Sequence, residues 1–349
     1  MDATAGSVPM EPGRDAQRRS LAGLFEPGAT MKVCCFLGTL PAKTMAAPPK
    51  HDKKIATFQN FARGVRAAGD EVHVISEVRY EPCDVAFMLG WVHEHGKDAP
   101  HLRLRQQILD HQRNHGGRVA IADSNLFLFQ DSTNPHYYLR YSFDGVFPNT
   151  GEYCDQNPDA ARWAQIQQDM NMSTRPWRTS GEHVLITLQR NGGWSMAGEN
   201  VDAWCINVVH QIRKHTKRPI VIRAHPGDKK AYRYVRRITD VLVKQGVRNF
   251  FIADANRTLM QDLERAWVLI NHNSSPGVAA AIMGVPVIST DITNSQACEV
   301  SSTDLAAIES PPTFDRDQWL RRLAQFHWSF DDLASGRCWR HMRQWVHVR

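Results

Sequence analysis

Nowhere does the chain carry an apolar run approaching the roughly 18 residues that cross a bilayer, nor the apolar core and small-residue cleavage site of a secretory leader; a cytoplasmic protein is expected. Its seven cysteines are scattered, one pair adjacent (Cys34, Cys35), with no CxxC repeat and no Cys/His spacing that would close a tetrahedral zinc site. Buried free thiols in a reducing compartment, and no metal, are the expectation. Charge of one sign does not dominate. Lys and Arg number 42 against 36 Asp and Glu, a net charge of +6, which suits a polyanionic partner without singling one out. Short internal repeats and low-complexity tracts are also missing.

What is present is globular usage, 42% hydrophobic and 22% charged residues, over 349 residues. That length is natural for two α/β domains of about 150 residues each. Residues 1–30 mix Gly, Pro, Ala and Arg without apolar period and read as a tail, with the folded part expected from Met31. From Lys32 short β-branched runs alternate with amphipathic stretches, the signature of parallel sheets flanked by helices. The first series predicts strands at Lys32–Leu37, Glu71–Ser76, Asp84–Leu89 and Arg118–Ala122, with helices at Lys53–Ala68 and Leu102–His115 capped by Gly69 and Gly116-Gly117. Asn125–Ser180 is less regular, with one helix near Asp159–Met170 and a linker around Ser173–Gly181. The second series predicts strands at His183–Leu188, Pro219–Arg223, Asn249–Ile252, Trp267–Asn271 and Pro286–Ser289, with helices between them. Arg316–Arg349 is Trp-rich and helical by period, without sign of a further strand, and is expected to pack across the domain junction. The boundaries predicted are 31–178 for an N-terminal and 179–310 for a C-terminal Rossmann-like domain, then 311–349 for the crossing helices.

Parallel sheets bind ligands beyond the carboxyl ends of their strands, and there the second half is polar. Arg190 and the Gly192-Gly193 pair follow the first strand of that series, where glycines admit a phosphate to the backbone and Arg190 supplies charge; a plain turn is the bland alternative. The next strand ends in Arg223-Ala224-His225-Pro226-Gly227, and alternation sends Arg223 and His225 to one side, a guanidinium for phosphate and an imidazole to bond the donor or shuttle a proton. The segment from Asn271 to Val287 reads as strand, hydroxyl-rich turn, small-residue helix, Gly cap and strand. Ser274 or Ser275 is expected to cap that helix, Pro276 to open it, and its free amides to form a diphosphate site, although a well-capped core helix gives the same pattern.

Three groups of residues carry a family resemblance: Arg223-x-His225-Pro226, Asn273-Ser274-Ser275-x-Gly277 with Gly284-x-Pro286-Val287, and Trp328-Ser329-Phe330-Asp331-Asp332-Leu333-x-Ser335-Gly336. Through them the chain, over roughly residues 183 to 340, resembles GT-B nucleotide-sugar glycosyltransferases, particularly the branch with bacterial capsule Kdo transferases and related phage proteins. The resemblance implies two Rossmann-like domains facing a central cleft, a nucleoside diphosphate sugar as donor bound by the second, an acceptor bound by the first, and no obligatory metal or cofactor. Donor contacts are then expected from Arg190, Gly192, Gly193, Arg223, His225, Asn273, Ser274, Ser275 and Gly277. In the first half, Leu139-Arg140-Tyr141-Ser142-Phe143-Asp144-Gly145-Val146-Phe147-Pro148-Asn149 and Gly90-Trp91-Val92-His93-Glu94 are similar to phage-encoded proteins, which implies a 5-hydroxymethylated pyrimidine in DNA as acceptor.

A hydroxyl acceptor needs a base within reach. Asp123, after a strand, is the first candidate and Glu94 the second, with a turn-capping carboxylate and a solvated loop as their bland readings; His225 completes the catalytic set. Acceptor contacts are expected from Thr39, His93 and Arg140, and His93-x-His95 alone is too little for a metal. Two basic clusters, Arg213 to Arg218 and Lys229 to Arg237, would hold DNA phosphates if they are not simply solvated. The rival readings are a Kdo-type surface-polysaccharide transferase, a nucleotide-sugar epimerase, and a non-catalytic DNA-binding module.

Overall fold

The computed structural model describes residues 29–45, 52–92, 99–127, 134–190, 194–196 and 198–347. The tail expected over residues 1–30 lies almost wholly outside them.

The first unit opens with β1 (Lys32–Phe36), α1 (Lys53–Ala67), β2 (Glu71–Ile75), β3 (Val85–Leu89), α2 (Pro100–His115) and β4 (Arg118–Asp123). Asp52 starts α1 by accepting from the amides of Lys54 and Ile55, and Ile55, Phe58, Phe61, Ala62 and Val65 then face the sheet at helical spacing. Gly69 and Gly116 take positive φ where the helices end, as the sequence predicts. Two strands of this sheet, like the short β11 (Ser301–Ser302) of the second, were not predicted. β5 (Leu139–Phe143) lies in the stretch read as irregular and pairs antiparallel with β4, and β12 (His327–Trp328) returns from the carboxyl end of the chain to pair antiparallel with β5. The sheet order is β12-β5-β4-β3-β1-β2.

The second unit holds β6 (His183–Thr187), α4 (Val201–Arg213), β7 (Ile220–Arg223), α5 (Ala231–Lys244), β8 (Phe250–Ile252), α6 (Leu259–Leu263), β9 (Ala266–Asn271), α7 (Pro276–Ile282), β10 (Val287–Ser289) and β11 (Ser301–Ser302), between the helix α3 (Ala160–Asp169) and the closing helices. All five strand pairs are parallel. The order β11-β10-β9-β6-β7-β8 is, counted from β6, the 3-2-1-4-5-6 order of dinucleotide-binding folds. The expected two-domain α/β architecture is therefore what the structure has, with a topological switch point between β6 and β9.

The segment expected as a linker is laid against the second unit. Arg175 and Arg178 donate their amides to the carbonyls of Ile282 and Gly284 at 2.8 Å. Gly284, at φ 74°, is where Pro176 comes so close that a built Cβ would stand 1.9 Å from its carbonyl oxygen. Beyond the second sheet, α8 (Asp317–Gln325) packs on α3, β12 joins the first sheet, and α9 (Phe330–Ala334) and α10 (Arg337–Arg343) pack on α1. The carboxyl end thus crosses to the first unit, as predicted, but as a strand as well as helices. Among the described residues no helix is long and apolar enough to cross a membrane.

Candidate functional site

The ends of β6 and β9 meet at the switch point. The side-chain oxygen of Gln189, two residues beyond β6, accepts the amide of Asn273, two residues beyond β9, at 3.1 Å. Its nitrogen donates to Ser195 Oγ at 2.8 Å. The Asn273 side chain donates to the Ser195 carbonyl (2.9 Å) and to Asp291 Oδ2 (2.8 Å). Asn294 donates to the same carboxylate oxygen at 2.8 Å. Gln189 and Asn273 are buried, so these bonds satisfy groups that would otherwise be costly to enclose.

Beside this network opens a cavity of about 620 Å³ whose lining includes Glu199, Trp204, His272 and Thr290. Thr290 Oγ1 accepts from the Trp204 indole at 2.9 Å and stands 3.0 Å from His272 Nδ1. Burial depresses the His272 imidazole below its usual range, against the opposing pull of Asp291 and Glu199. None of these residues is singled out by the sequence reading except Asn273. Their position just past β9 and β10 was legible; the bonds that join them across strands were not.

The charged groups expected at neighbouring strand ends divide in two. Arg190, exposed after β6, donates to the Gly227 carbonyl at 3.2 Å, and His225 Nδ1 accepts the Gly227 amide at 3.0 Å. Burial, then the nearby Arg190, push the His225 pKa down. A neutral ring that accepts at Nδ1 carries its proton on Nε2, so His225 presents a hydrogen-bond donor rather than a base. Arg223 does not join them. Its guanidinium lies 2.6 Å from Asp262 Oδ2 while Arg257 takes the other carboxylate oxygen at 2.7 Å.

The start of α7 departs from expectation. Ser275 stands at the cap position but makes no capping bond. The amide of Gly277 bonds the Ser274 carbonyl (3.1 Å), and those of Val278 and Ala279 bond the Ser275 carbonyl (2.9 and 3.3 Å). These amides are spent within a tight turn and offer no diphosphate cradle. What remains for a ligand are the two hydroxyls, Ser274 partly and Ser275 fully exposed. Gly277 is small because Asn271 Nδ2 would lie 3.0 Å from an added Cβ. Gly192 and Gly193 lie outside the described residues, as do His93, Glu94 and His95.

In the first unit, Asp123 and Arg140 are direct partners across β4 and β5, and their side chains form a close ion pair. One carboxylate oxygen is thereby engaged, and proton transfer would fall to the other. Burial opposes the Arg140 charge, but Asp123 and Tyr153 outweigh it and hold its pKa up. The switch point of this sheet, between β1 and β3, is filled by Arg105. Its guanidinium donates to the carbonyls of Thr39 (3.1 Å) and Trp91 (2.8 Å), and burial pulls its pKa down to about 10 against the pull of Asp123. Thr39, expected at the acceptor, is fully buried with its hydroxyl donating to the Phe36 carbonyl at 2.6 Å; it has no surface to offer.

The basic clusters are committed in part. Arg213 donates to the carbonyls of Thr216, Arg218, Arg248 and Asn249, and Arg218 to Glu309 and the Gly181 carbonyl. Arg236 and Arg237 pair with Asp240 and Asp202.

No protein-family model matches the chain, and no curated protein matches it. Among solved structures it is similar to a beta-Kdo 2,4 transferase, KpsC of Thermosulfurimonas dismutans, at 12% identity over 85% of this chain and 90% of that one, TM-score 0.48. A beta-Kdo 2,7 transferase of the same organism gives 13% identity over 88% and 98%, TM-score 0.48. The UDP-GlcNAc 2-epimerase of Methanocaldococcus jannaschii, solved with UDP-GlcNAc and UDP, gives 10% over 90% and 100%, TM-score 0.34. Likeness at this level concerns the arrangement of the chain and carries no activity across.

Proposed function

We propose that the protein is a glycosyltransferase of GT-B type that takes a sugar from a nucleotide donor held at the second switch point and passes it to a hydroxyl acceptor on the first unit. The observation that carries this reading is the Gln189–Asn273 junction, which braces the carboxyl ends of β6 and β9 beside a cavity large enough for a nucleoside. The nucleoside enters beside Trp204, His272 and Thr290. Its phosphates meet Arg190, the Nε2 proton of His225 and the hydroxyls of Ser274 and Ser275. Departure of the phosphate is the step in which negative charge grows, and fixed donors at that point lower its barrier most. Asp123, held by Arg140, is the base for the incoming hydroxyl, with Glu94 as the second candidate.

For the acceptor, the first-half resemblance favours a 5-hydroxymethylated pyrimidine in DNA, and the second-half motifs favour a surface polysaccharide of Kdo type. Bonds to backbone carbonyls leave the Arg213 charge in place, and Arg236 and Arg237 stay 84% and 70% exposed beside their carboxylates, so the basic clusters do not choose between the two acceptors. The test is incubation of the full chain with a panel of nucleotide sugars and, in parallel, hydroxymethylated DNA and a capsule oligosaccharide, read by product mass. Transfer to one acceptor is expected. Epimerised donor without transfer would replace the proposal by an epimerase, and an inert donor panel would remove it.

A further inference from the structure

Away from the strand ends, three side chains with metal-binding atoms gather at the β1–β2 edge of the first sheet. Lys32 and Cys34 on β1 lie opposite Glu71 and His73 on β2 in parallel register, so alternation puts all four on one face. The connection from β2 to β3 folds back over them and brings Glu81 and Cys83. The ligating atoms of Cys34, His73 and Glu81 all lie within 4.8 Å of one another. Cys34 Sγ stands 3.9 Å and His73 Nδ1 2.5 Å from the same Glu81 oxygen. Cys34 itself is fully buried, and the nearby Cys83 sulphur is taken by the Gln112 side-chain amide at 3.7 Å.

We propose that Cys34, His73 Nδ1 and Glu81 form a three-ligand zinc site, with the fourth position left for water, that clamps the β2–β3 connection onto the sheet. Bonds of about 2.0–2.3 Å at tetrahedral angles set ligand atoms roughly 3.3–3.8 Å apart. The 3.9 Å sulphur–carboxylate separation contracts by a few tenths of an ångström to reach that range, and the imidazole–carboxylate contact widens by less than about 1 Å when a metal replaces the shared proton. Three features fit a metal better than a surface ion cluster. The other ring nitrogen of His73 is 2.7 Å from Glu71 Oε1, the carboxylate brace that orients a ligating imidazole. A sulphur, an imidazole and one carboxylate oxygen are a donor set that selects zinc over calcium or magnesium. One thiolate and one carboxylate cancel the charge of Zn²⁺, and Lys32 (3.0 Å from Glu81) and Arg79 (3.2 Å) hold the Glu81 carboxylate in place. The site is open to solvent, with the His73 side chain 42% exposed. No motif announces it because its ligands come from three separate segments.

The test is zinc titration of the full chain, stripped by chelator, with retained metal measured after gel filtration and cobalt substituted as an absorbing probe. One zinc per chain, a raised melting temperature on zinc addition and a thiolate-to-cobalt charge-transfer band are expected. His73→Gln and Glu81→Gln, at partly exposed positions, should abolish retention, and Glu71→Gln should weaken it by about 10- to 100-fold. Failure to retain zinc, or equal retention by wild type and both ligand variants, overturns the proposal.

Discussion

The Asn273 amide and the Gln189 side-chain oxygen, 84 positions apart in sequence, are joined by a 3.1 Å hydrogen bond at the point where the second sheet changes direction. Replacing Gln189 by Leu leaves that buried amide without an acceptor, and also frees Ser195. We expect a loss of about 1–3 kcal/mol in stability, with a larger fall in donor affinity than a structural defect alone would give. Denaturant unfolding and donor binding, measured on the same variant, check both parts.

Arg190→Ala and His225→Ala each remove a donor from the place where phosphate charge develops. The expected effect is a fall in kcat of about 100- to 1,000-fold at saturating donor. Because the His225 pKa is depressed, its neutral donor form persists at neutral pH, and the rate should not rise as pH falls through the ordinary histidine range. A rate that increased on acidification would mean that the imidazolium, not the neutral ring, is the working form.

Asp123→Asn keeps the shape of the pair with Arg140 but removes the base. A rate loss of about 100- to 10,000-fold per folded molecule is expected, together with a lowered melting temperature because the buried Arg140 loses its counter-charge. An unaffected rate would pass the role to Glu94.

Arg162 and Asp332 tie the carboxyl-terminal segment to the rest of the chain at 2.7 Å, both buried, with the guanidinium also 4.4 Å from the Trp328 ring centre. Asp332 further completes a capping box with Ser329. The Trp328-to-Gly336 motif that suggested function is thus a fastening. Arg162→Ala should cost about 3–5 kcal/mol, because it strands a buried carboxylate, and should lower stability before it lowers turnover per folded molecule.

His327 on β12 is completely buried, its Nδ1 donating to the Leu323 carbonyl (2.6 Å) and its Nε2 accepting the Leu126 amide (3.2 Å). Burial depresses its pKa to about 3, with Arg140 and Arg162 adding to the effect. The unfolded chain therefore takes up a proton that the native ring refuses. Stability is full above the ordinary histidine pKa of about 6.5 and declines as pH falls from there towards about 3, by on the order of 4 kcal/mol. His327→Gln should flatten that slope in acid denaturation series.

The strands and helices of both units were legible because their apolar periods are clean, and the strand-end positions of Arg190 and His225 followed from the topology. β5 was not legible. Its Leu-Arg-Tyr-Ser-Phe run does alternate apolar and polar residues, but it is only five residues long, sits among turn-forming residues, and is buried on both faces, Arg140 and Ser142 included. β12 is two residues long within a helical pattern. The misplacement of Arg223, read as a phosphate ligand, has the same origin as the missed network. Side-chain direction was predicted from alternation, whereas Asp262, from a helix 39 positions later, decides where the guanidinium goes.

The central claim is that the second switch point binds a nucleotide sugar. The most direct measurement is equilibrium binding of a nucleoside diphosphate sugar panel by calorimetry to the wild type, Arg190→Ala and Gln189→Leu. The account predicts saturable binding of at least one donor, weakened about tenfold or more in each variant, an affinity change of roughly 1.4 kcal/mol or greater. Binding of equal strength in all three, or no binding by any donor, would contradict it.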